Sequence, residues 1–305
     1  MPEYPDVVVY LERLKALTAG QRLEGVRLKS PFLLRSYAPP LSAVFGKPVL
    51  GYRRIGKRLV FELGDELFLV LHLMIAGRLK QREPKALLKT KVDLAAFDFT
   101  ETTFVLTEAG TQKRASLHVV QGEASLEPFR RGGVDPFQVT LAAFRAALTR
   151  ENRTLKRALT DPTIIDGVGN AYSDEMLHRA RLSPVKRTQQ LTPDESKRLF
   201  SACKATLSDW TERLRQEVGA GFPEKVTAFR EGMAVHGRYR QPCPVCQTPV
   251  QRIRYAANEV NYCPTCQTGG RLLADRGLSR LLKADWPKSL EELEERLNPT
   301  PAVPK

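Results

Sequence analysis

The apolar positions at the start of the chain follow the period of an α-helix. After the opening segment 2–6 they recur along 7–17 with charged residues between them, and Gly20 supplies a stop signal. The apolar residues of this run are Val7, Tyr10, Leu11, Leu14 and Leu17. The pattern predicts an N-terminal helix.

From residue 22 to about residue 120 the pattern changes to short runs of β character. Gly, Pro and charged residues separate these runs, as turns separate strands. We predict strands at 23–28, 49–53, 58–63, 66–74, 92–99, 104–107 and 117–120. Short strands at this regular spacing predict a β-sandwich or barrel, of which we favour the sandwich.

After the turn-like segment 131–136 the helical period returns. Helices are predicted near 140–149, 152–160, 171–180 and 193–218. The last one starts at 192–195, where Thr, Pro, Asp and Glu combine an N-cap, a proline in the first turn and the acidic residue of a capping box. These helices predict a second domain.

The changes of pattern divide the 305 residues into four segments. We expect an α+β protein in which the N-terminal helix and the β-sandwich form a domain over 1–131 and helices form a domain over 132–235. Segment 236–280 contains two C-x-x-C pairs, a spacing typical of zinc ligands, so a zinc finger is expected there. The last segment, 281–305, contains an acidic helix candidate and then three prolines, so a loosely held tail is predicted there.

Four of the five cysteines form two C-x-x-C pairs separated by 16 residues. This spacing is typical of a four-thiolate zinc site, and the apolar run between the pairs predicts a β-hairpin. We therefore predict one structural Zn²⁺ ion bound by Cys243, Cys246, Cys263 and Cys266. The fifth cysteine, Cys203, falls on the apolar face of a predicted helix and is expected in the core.

The chain carries 48 Lys and Arg against 34 Asp and Glu, a formal net charge of +14. Such an excess favours a polyanionic partner, most often nucleic acid, although a basic enzyme without one has the same composition. The longest apolar runs fall far short of the ~18 residues that span a bilayer, and the acidic, proline-rich start does not resemble a signal peptide. We expect a cytoplasmic protein with no membrane partner.

A tight glycine turn at 166–170 places Asn170 at the start of a predicted helix. Glycines allow the backbone to approach a ligand closely, and the N–H groups at a helix N-terminus bind phosphate. Asn170 adds a side-chain donor at the same place. A glycine turn that only joins two packed helices would have the same sequence.

The first three residues carry a second chemical signal. Removal of Met1 would leave Pro2 with a free secondary amine, which is partly neutral at pH 7 because α-amino groups have pKa values near 7.7–8.0. Such an amine can attack C1′ of a sugar and form an iminium, and Glu3 beside it can transfer protons. These residues alone could equally well just begin a helix.

The combination of these motifs resembles the formamidopyrimidine-DNA glycosylase and endonuclease VIII family. The Met-Pro-Glu-x-Pro-Asp start, the β-rich first domain, the Gly-Val-Gly-Asn turn and the terminal four-Cys finger follow the order of that family across residues 2–280. Segment 166–184 is similar to the family's helix-two-turn-helix, and 55–58 is similar to its catalytic lysine loop.

The resemblance implies roles for individual residues. Pro2 is the expected nucleophile, Glu3 the general acid/base and Lys57 a charge beside the sugar and the scissile phosphate. Asn170 is an expected phosphate ligand, and Lys156 an expected contact near the lesion strand.

Other positions depart from the family pattern. Asn258 stands five residues before the third cysteine, where the family has an Arg that clamps the lesion phosphate, and Arg252 and Arg254 are candidates to compensate for it. Ile75 stands where the family has the Met that fills the space left by a flipped base. The loop 107–115 lacks the family's Arg-Phe-Gly motif. Segment 219–230, at the place of the family's lesion-capping loop, has no recognisable match to it and is a candidate mobile lid. His72 fits either a core position or a DNA contact.

The sequence as a whole predicts a base-excision repair enzyme, a bifunctional DNA glycosylase and abasic-site lyase. We expect a monomer that binds damaged double-stranded DNA at the nucleoid and flips a damaged nucleotide out of the duplex. The competing hypotheses are a non-catalytic damaged-DNA-binding protein on the same scaffold and a zinc-ribbon RNA-binding protein.

Overall fold

The protein folds into two compact units, seen in a computed structural model that describes residues 1–255, 258–274 and 286–297. The first unit comprises Met1–Gly133 and Leu207–Ala228. The second comprises Val134–Thr206 and the described residues from Phe229 onward. That the four predicted segments fold as separate domains stays a prediction.

The first unit contains helix α1 (Tyr4–Thr18) and eight strands. The strands are β1 (Arg22–Leu28), β2 (Lys47–Ile55), β3 (Arg58–Leu63), β4 (Leu67–His72), β5 (Gly77–Arg82), β6 (Asp93–Phe99), β7 (Thr103–Glu108) and β8 (Ser116–Gln121). Helix α1 and seven of these strands match the predicted elements. The sequence did not predict β5, because Arg78, Lys80 and Arg82 on its outward face give it the composition of a charged turn.

All eight strands are antiparallel, in the order β5-β7-β6-β1-β2-β3-β4-β8. Strands β1 and β2 pair only at Arg22 with Pro48 and at Leu23 with Lys47, so the sheet consists of two four-stranded halves. Phe61 of one half stacks on Phe97 of the other, with ring centroids 5.6 Å apart. The two halves therefore pack face to face, and the predicted sandwich is confirmed.

Helix α1 packs its apolar side into the core of the sandwich. Val7, Tyr10, Leu11 and Leu14 belong to the same buried cluster as the inward side chains of both half-sheets. This packing fixes the direction of α1, and with it the position of the chain's first three residues.

The described part of the second unit begins with four helices, and the fourth continues into the first unit. They are α2 (Leu141–Thr149), α3 (Leu155–Thr160), α4 (Asn170–Arg179) and α5 (Pro193–Val218). The predicted capping box of α5 is present, because the Glu195 carboxylate accepts from the Thr192 N–H and the Thr192 hydroxyl accepts from the Glu195 N–H. Cys203 on α5 is fully buried, as predicted.

The rest of the second unit holds a hairpin and two further helices. The hairpin consists of β9 (Gln251–Tyr255) and β10 (Asn258–Tyr262), and the helices are α6 (Pro264–Thr268) and α7 (Leu290–Leu297). Helix α7 is the acidic helix expected near the C-terminus, whereas the proline-containing end of the predicted tail lies outside the described residues. Among the helices described, none is both long and apolar enough to cross a membrane.

Candidate active site and nucleic-acid interface

The first residues of the chain are held by the start of α1. Glu3 is the N-cap of this helix, its carboxylate accepts from the Asp6 backbone N–H, and its own N–H donates to Asp6 Oδ2 at 2.8 Å. Pro2 is buried and Glu3 is 3% exposed. A reciprocal capping box thus fixes a carboxylate directly beside the N-terminus.

Burial and nearby positive charges lower the pKa of the N-terminal amine. Burial is the main reason that the pKa of the Met1 amino group falls below its ordinary value of 8.0, followed by the positive charge of Arg78. Lys57 acts in the same direction, whereas Glu3 and Asp6 oppose it. Since only the neutral form of an amine is nucleophilic, this environment favours amine chemistry at neutral pH.

Lys57 lies at the tip of the hairpin that joins β2 to β3. Ile55 pairs with Arg58 across a two-residue turn, and Gly56 occupies its first central position with φ of 62°. Arg54, just before the turn, stacks on the ring of Tyr4 at 4.4 Å and donates to the Gly56 carbonyl at 2.8 Å. The hairpin tip is thereby attached to the first turn of α1, and Lys57 lies among the charges that act on the N-terminal amine.

His72 ends β4 and pairs with Arg58 of β3. Burial lowers the pKa of His72 to about 4, and the charges of Arg58, Lys57 and His118 act in the same direction. The imidazole is therefore neutral at physiological pH, and the side chain is half-buried.

Ile75 stands at the tip of the turn between β4 and β5, with 58% of its surface exposed. The turn is tight: Met74 has φ of 53°, and a Cβ on Gly77 would lie 2.2 Å from the Leu73 carbonyl oxygen. Arg78 donates through Nη1 to the carbonyl oxygens of Ile75 and Gly77, at 3.1 and 2.7 Å. The turn thus presents an apolar side chain to solvent on a fixed backbone.

The loop after β7 lies next to this turn, because β5 and β7 pair from Gly77 and Glu108 onward. Glu108 is 1% exposed, and its carboxylate accepts from the backbone N–H groups of Arg114 and Ala115. The side chains of Gln112 and Arg114 are exposed and bonded to each other at 2.5 Å. A buried carboxylate therefore organises the loop that lacks the Arg-Phe-Gly motif.

The segment suggested as a mobile lid is anchored over its first half. Phe222 packs against Tyr10 and Phe104, with ring centroids 5.5 and 4.9 Å away. Val226 is buried in the sandwich core, and its carbonyl accepts from Arg78 Nε at 2.6 Å. Residues 222–226 are therefore part of the packed first unit.

In the second unit, the predicted glycine turn leads into α4. Gly167 has φ of 78°, Gly169 is the N-cap, and Asn170 is the first helical residue. The Asn170 amide donates to the Glu259 carbonyl of β10 at 3.0 Å. This bond ties the turn to the hairpin between the cysteine pairs.

Lys156 lies on α3, directly beside this turn. Its ammonium group contacts the Asn170 carbonyl at 2.6 Å and Asp174 Oδ1 at 2.5 Å, and the residue is 7% exposed. Asp174 is fully buried and also accepts from His236 Nδ1 at 2.8 Å. In this arrangement Lys156 holds the first turn of α4, and its contact with the lesion strand stays a prediction.

Arg252 and Arg254 occupy alternate positions of β9. Because Ile253 between them is fully buried, both arginines lie on the opposite face of the hairpin. Arg252 stacks over the Tyr239 ring at 4.0 Å and bonds to Glu259 at 3.3 Å, and Arg254 is exposed. Asn258 begins β10, and its side chain lies outside what the structure describes.

The four predicted cysteines come together with ligand atoms within 4.8 Å of one another. Sγ of Cys246 lies 3.4 Å from Sγ of Cys263 and 3.5 Å from Sγ of Cys266, and Sγ of Cys243 lies 3.9 Å from Sγ of Cys266. Zinc–sulfur bonds of ~2.3 Å in a tetrahedron require sulfur atoms ~3.8 Å apart. The cluster therefore fits a metal ion with four thiolate ligands.

Two family models match the chain. The N-terminal domain of formamidopyrimidine-DNA glycosylase matches residues 1–112, and the H2TH domain of the same enzyme matches residues 133–218. The formamidopyrimidine-DNA glycosylase of Thermus thermophilus is 33% identical over 284 residues, which cover 88% of this chain and all of the relative. The chain belongs to the formamidopyrimidine-DNA glycosylase family.

The solved structures show the same fold. The Thermus thermophilus MutM (Fpg) crystal structure aligns with a TM-score of 0.73 and 31% identity, over 87% of this chain and 98% of the other. The Lactococcus lactis Fpg in complex with DNA containing an abasic site aligns with a TM-score of 0.76 and 23% identity, over 87% and 99%. The protein is thus an enzyme, a DNA glycosylase of the Fpg family.

Several residues that organise this glycosylase were not predicted. Arg78 belongs to the missed strand β5, where its alternation with Leu79 was the available signal. Asp174 and His178 follow Asn170 at spacings of four, so that a polar stripe runs along buried α4. His236 has no sequence signal, because its partner Asp174 is 62 residues away.

Proposed function

We propose that this Fpg-family glycosylase removes a damaged base from double-stranded DNA and then cleaves the strand by β-elimination, with the amine of Pro2 as nucleophile. One observation carries the proposal: Met1 is followed by the buried residues Pro2 and Glu3, and burial and then the charge of Arg78 lower the pKa of the Met1 amine. Removal of Met1 would place the free amine on Pro2, which is buried. The abasic-site DNA bound by the Lactococcus lactis enzyme is a substrate of the kind proposed.

The proposed reaction begins when the Pro2 nitrogen bonds to C1′ while the glycosidic bond breaks and the base leaves with a proton. Opening of the sugar ring gives an iminium, which acidifies C2′. Loss of the C2′ proton then expels the 3′-phosphate, and water hydrolyses the iminium to free Pro2. Glu3, whose carboxylate is fixed by the Asp6 N–H, transfers protons during attack and ring opening.

The remaining predicted residues are assigned to DNA binding. Lys57 is proposed beside the scissile phosphate, and Asn170 and Lys156 are proposed near the phosphates of the lesion strand. Ile75 fills the space of the flipped nucleotide, for which its exposed position on a fixed turn suits it. Arg252 and Arg254 are proposed to contact the lesion phosphate in place of the family's clamp Arg, whose position Asn258 occupies here. We place this activity in a monomer at the nucleoid, in the cytoplasm.

Zn²⁺ is the proposed metal of the cysteine cluster. Cys243, Cys246, Cys263 and Cys266 would bind one ion and leave no coordination position open, so its contribution is structural. In this role it holds β9, β10 and their arginines in place.

The test is a panel of duplexes that carry an abasic site or one oxidised base. The protein with a free Pro2 amine should release bases from some of the oxidised duplexes and should cleave the duplex that carries an abasic site. The same chain with an N-terminal extension should bind but not cleave, whereas a C-terminal extension of equal length should have no effect. Binding without release or cleavage on every duplex would refute the enzyme proposal and favour a non-catalytic damage-binding protein.

A further inference from the structure

One face of helix α4 contacts the hairpin β9–β10 and the cysteine cluster. Asn170, Asp174 and His178 are spaced four residues apart, so they lie one above another on the helix. Asn170 donates to the carbonyl of Glu259, and Asp174 accepts from the backbone N–H of Asn261 at 3.2 Å. His178, at the C-terminal end of the stripe, contacts the cysteine cluster itself.

The contact joins His178 Nε2 to the Sγ of Cys243 at 3.3 Å. Both groups are shielded from water, because His178 is 6% exposed and Cys243 is fully buried. A thiolate bound to a metal carries no proton, so the proton of this hydrogen bond belongs to the imidazole nitrogen. With a metal bound, His178 is therefore the donor and Cys243 the acceptor of this hydrogen bond.

Two of the other ligands, Cys263 and Cys246, receive hydrogen bonds from within the finger. Cys263 Sγ accepts from the Cys266 N–H at 3.5 Å, and Thr248 bonds to Cys246 through its backbone and its side chain. For Cys243 the described donor comes from α4, 65 residues earlier in the chain. The metal centre is thereby fastened to the helix that begins with Asn170.

We propose that His178 is a positioning residue of the metal centre, which retains the metal by hydrogen bonding to Cys243 and couples the finger to α4. This inference rests on the metal site of the proposed function. Four thiolates around a divalent ion leave a net negative charge in a buried place, and an N–H donor reduces the charge on sulfur without adding a ligand. Removal of the donor leaves a buried thiolate without this compensation.

Metal release is the measurement that separates this role from simple packing. Zinc-loaded protein is treated with a chelator, and Co²⁺-loaded protein is examined for its thiolate-to-metal charge-transfer band. His178→Phe keeps the ring volume but removes the donor. We expect about 10–100-fold weaker metal binding and a shifted band, the usual range for loss of such a partner.

Two amide variants keep the test independent of the Phe variant's folding. His178→Gln places an N–H near the position of Nε2 and should restore metal retention to within a few-fold of wild type. His178→Asn is one methylene shorter and should not. His118→Phe removes an imidazole from β8 of the first unit and should leave metal binding unchanged.

The outcomes separate the inference from the proposed zinc site. Wild-type protein that contains no metal and forms no cobalt–thiolate band would refute the zinc site itself. Wild-type protein that binds metal normally while His178→Phe retains it equally well would refute the role of His178. Equal weakening in the Phe and Gln variants would also refute it, because the effect would then come from packing and not from the donor.

Discussion

At the scale of single residues, Glu3 is fixed by the helix that it caps. Its carboxylate accepts from the Asp6 N–H, and its N–H donates to Asp6 in return. The side chain therefore has one position relative to the N-terminal amine, which is what a proton-transfer group requires.

Glu3→Gln should separate the two steps of the proposed reaction. Excision of a damaged base needs proton transfer during glycosidic cleavage and ring opening, whereas a preformed abasic aldehyde needs less of it. We expect base release to fall by about 10²–10⁴, with a smaller loss of cleavage at an abasic site. Single-turnover rates on the two substrates measure this difference, and equal losses would remove Glu3 from the proton-transfer role.

Arg78 is expected to contribute to the pH dependence of the proposed reaction. Its charge is the largest influence after burial on the lowered pKa of the N-terminal amine. The nucleophile is active when deprotonated, so lyase activity should rise with pH, with the midpoint of the rise below 8.0, the ordinary pKa of the amine. Arg78→Gln should raise that pKa and move the rising limb to higher pH, whereas Arg78→Lys should move it less. A pH profile identical in all three proteins would contradict this role.

At the scale of structural elements, the turn before β5 depends on a glycine. A Cβ on Gly77 would lie 2.2 Å from the Leu73 carbonyl oxygen, which belongs to the backbone and has little freedom to move. Gly77→Ala should therefore lower the free energy of unfolding by about 1–3 kcal/mol. Gly25→Ala in β1, where a Cβ has no neighbour within 4 Å, is the matched control. If Gly77→Ala had the same denaturation midpoint as the wild type and Gly25→Ala, the turn would accommodate the methyl group.

The elements differ in how far the sequence could predict them. Helix α1 and the two strands on either side of Lys57 have local signals, a helical period and runs of β character, and these elements were predicted. Strand β5 was not, because its charged outward residues hide the alternation. The packing of residues 222–226 could not be predicted from the sequence either, because Phe222 contacts Tyr10 only in the tertiary structure.

The candidate site shows the same division. The cysteine spacing predicted a metal cluster without any structural information, because zinc finger ligands come in local pairs. The bonds of Lys156, His178 and His236 join segments far apart in sequence, and nothing in the local pattern indicates such partners. Sequence reasoning thus found the residues with motif spacing and Lys156, but it did not predict the buried partners Asp174, His178 and His236.

At the scale of the whole molecule, the net charge of +14 predicts salt-dependent DNA binding. If Lys57 contacts a phosphate, Lys57→Ala should reduce the slope of log K against log salt by ~0.9 and weaken binding to damaged and undamaged duplexes alike. Lys15→Ala, an exposed lysine on α1, is the control and should leave the slope unchanged. An unchanged slope for Lys57→Ala would place Lys57 away from the phosphates.

In the proposed reaction the amine of Pro2 forms the covalent bond to the DNA. Borohydride reduction of the reacting complex on an abasic duplex, followed by mass mapping of the digested protein, locates that bond. We expect the sugar remnant on the N-terminal peptide, at the nitrogen of Pro2 in a chain that lacks Met1. A remnant on Lys57 or another lysine, or no adduct from chain with a free Pro2, would contradict it.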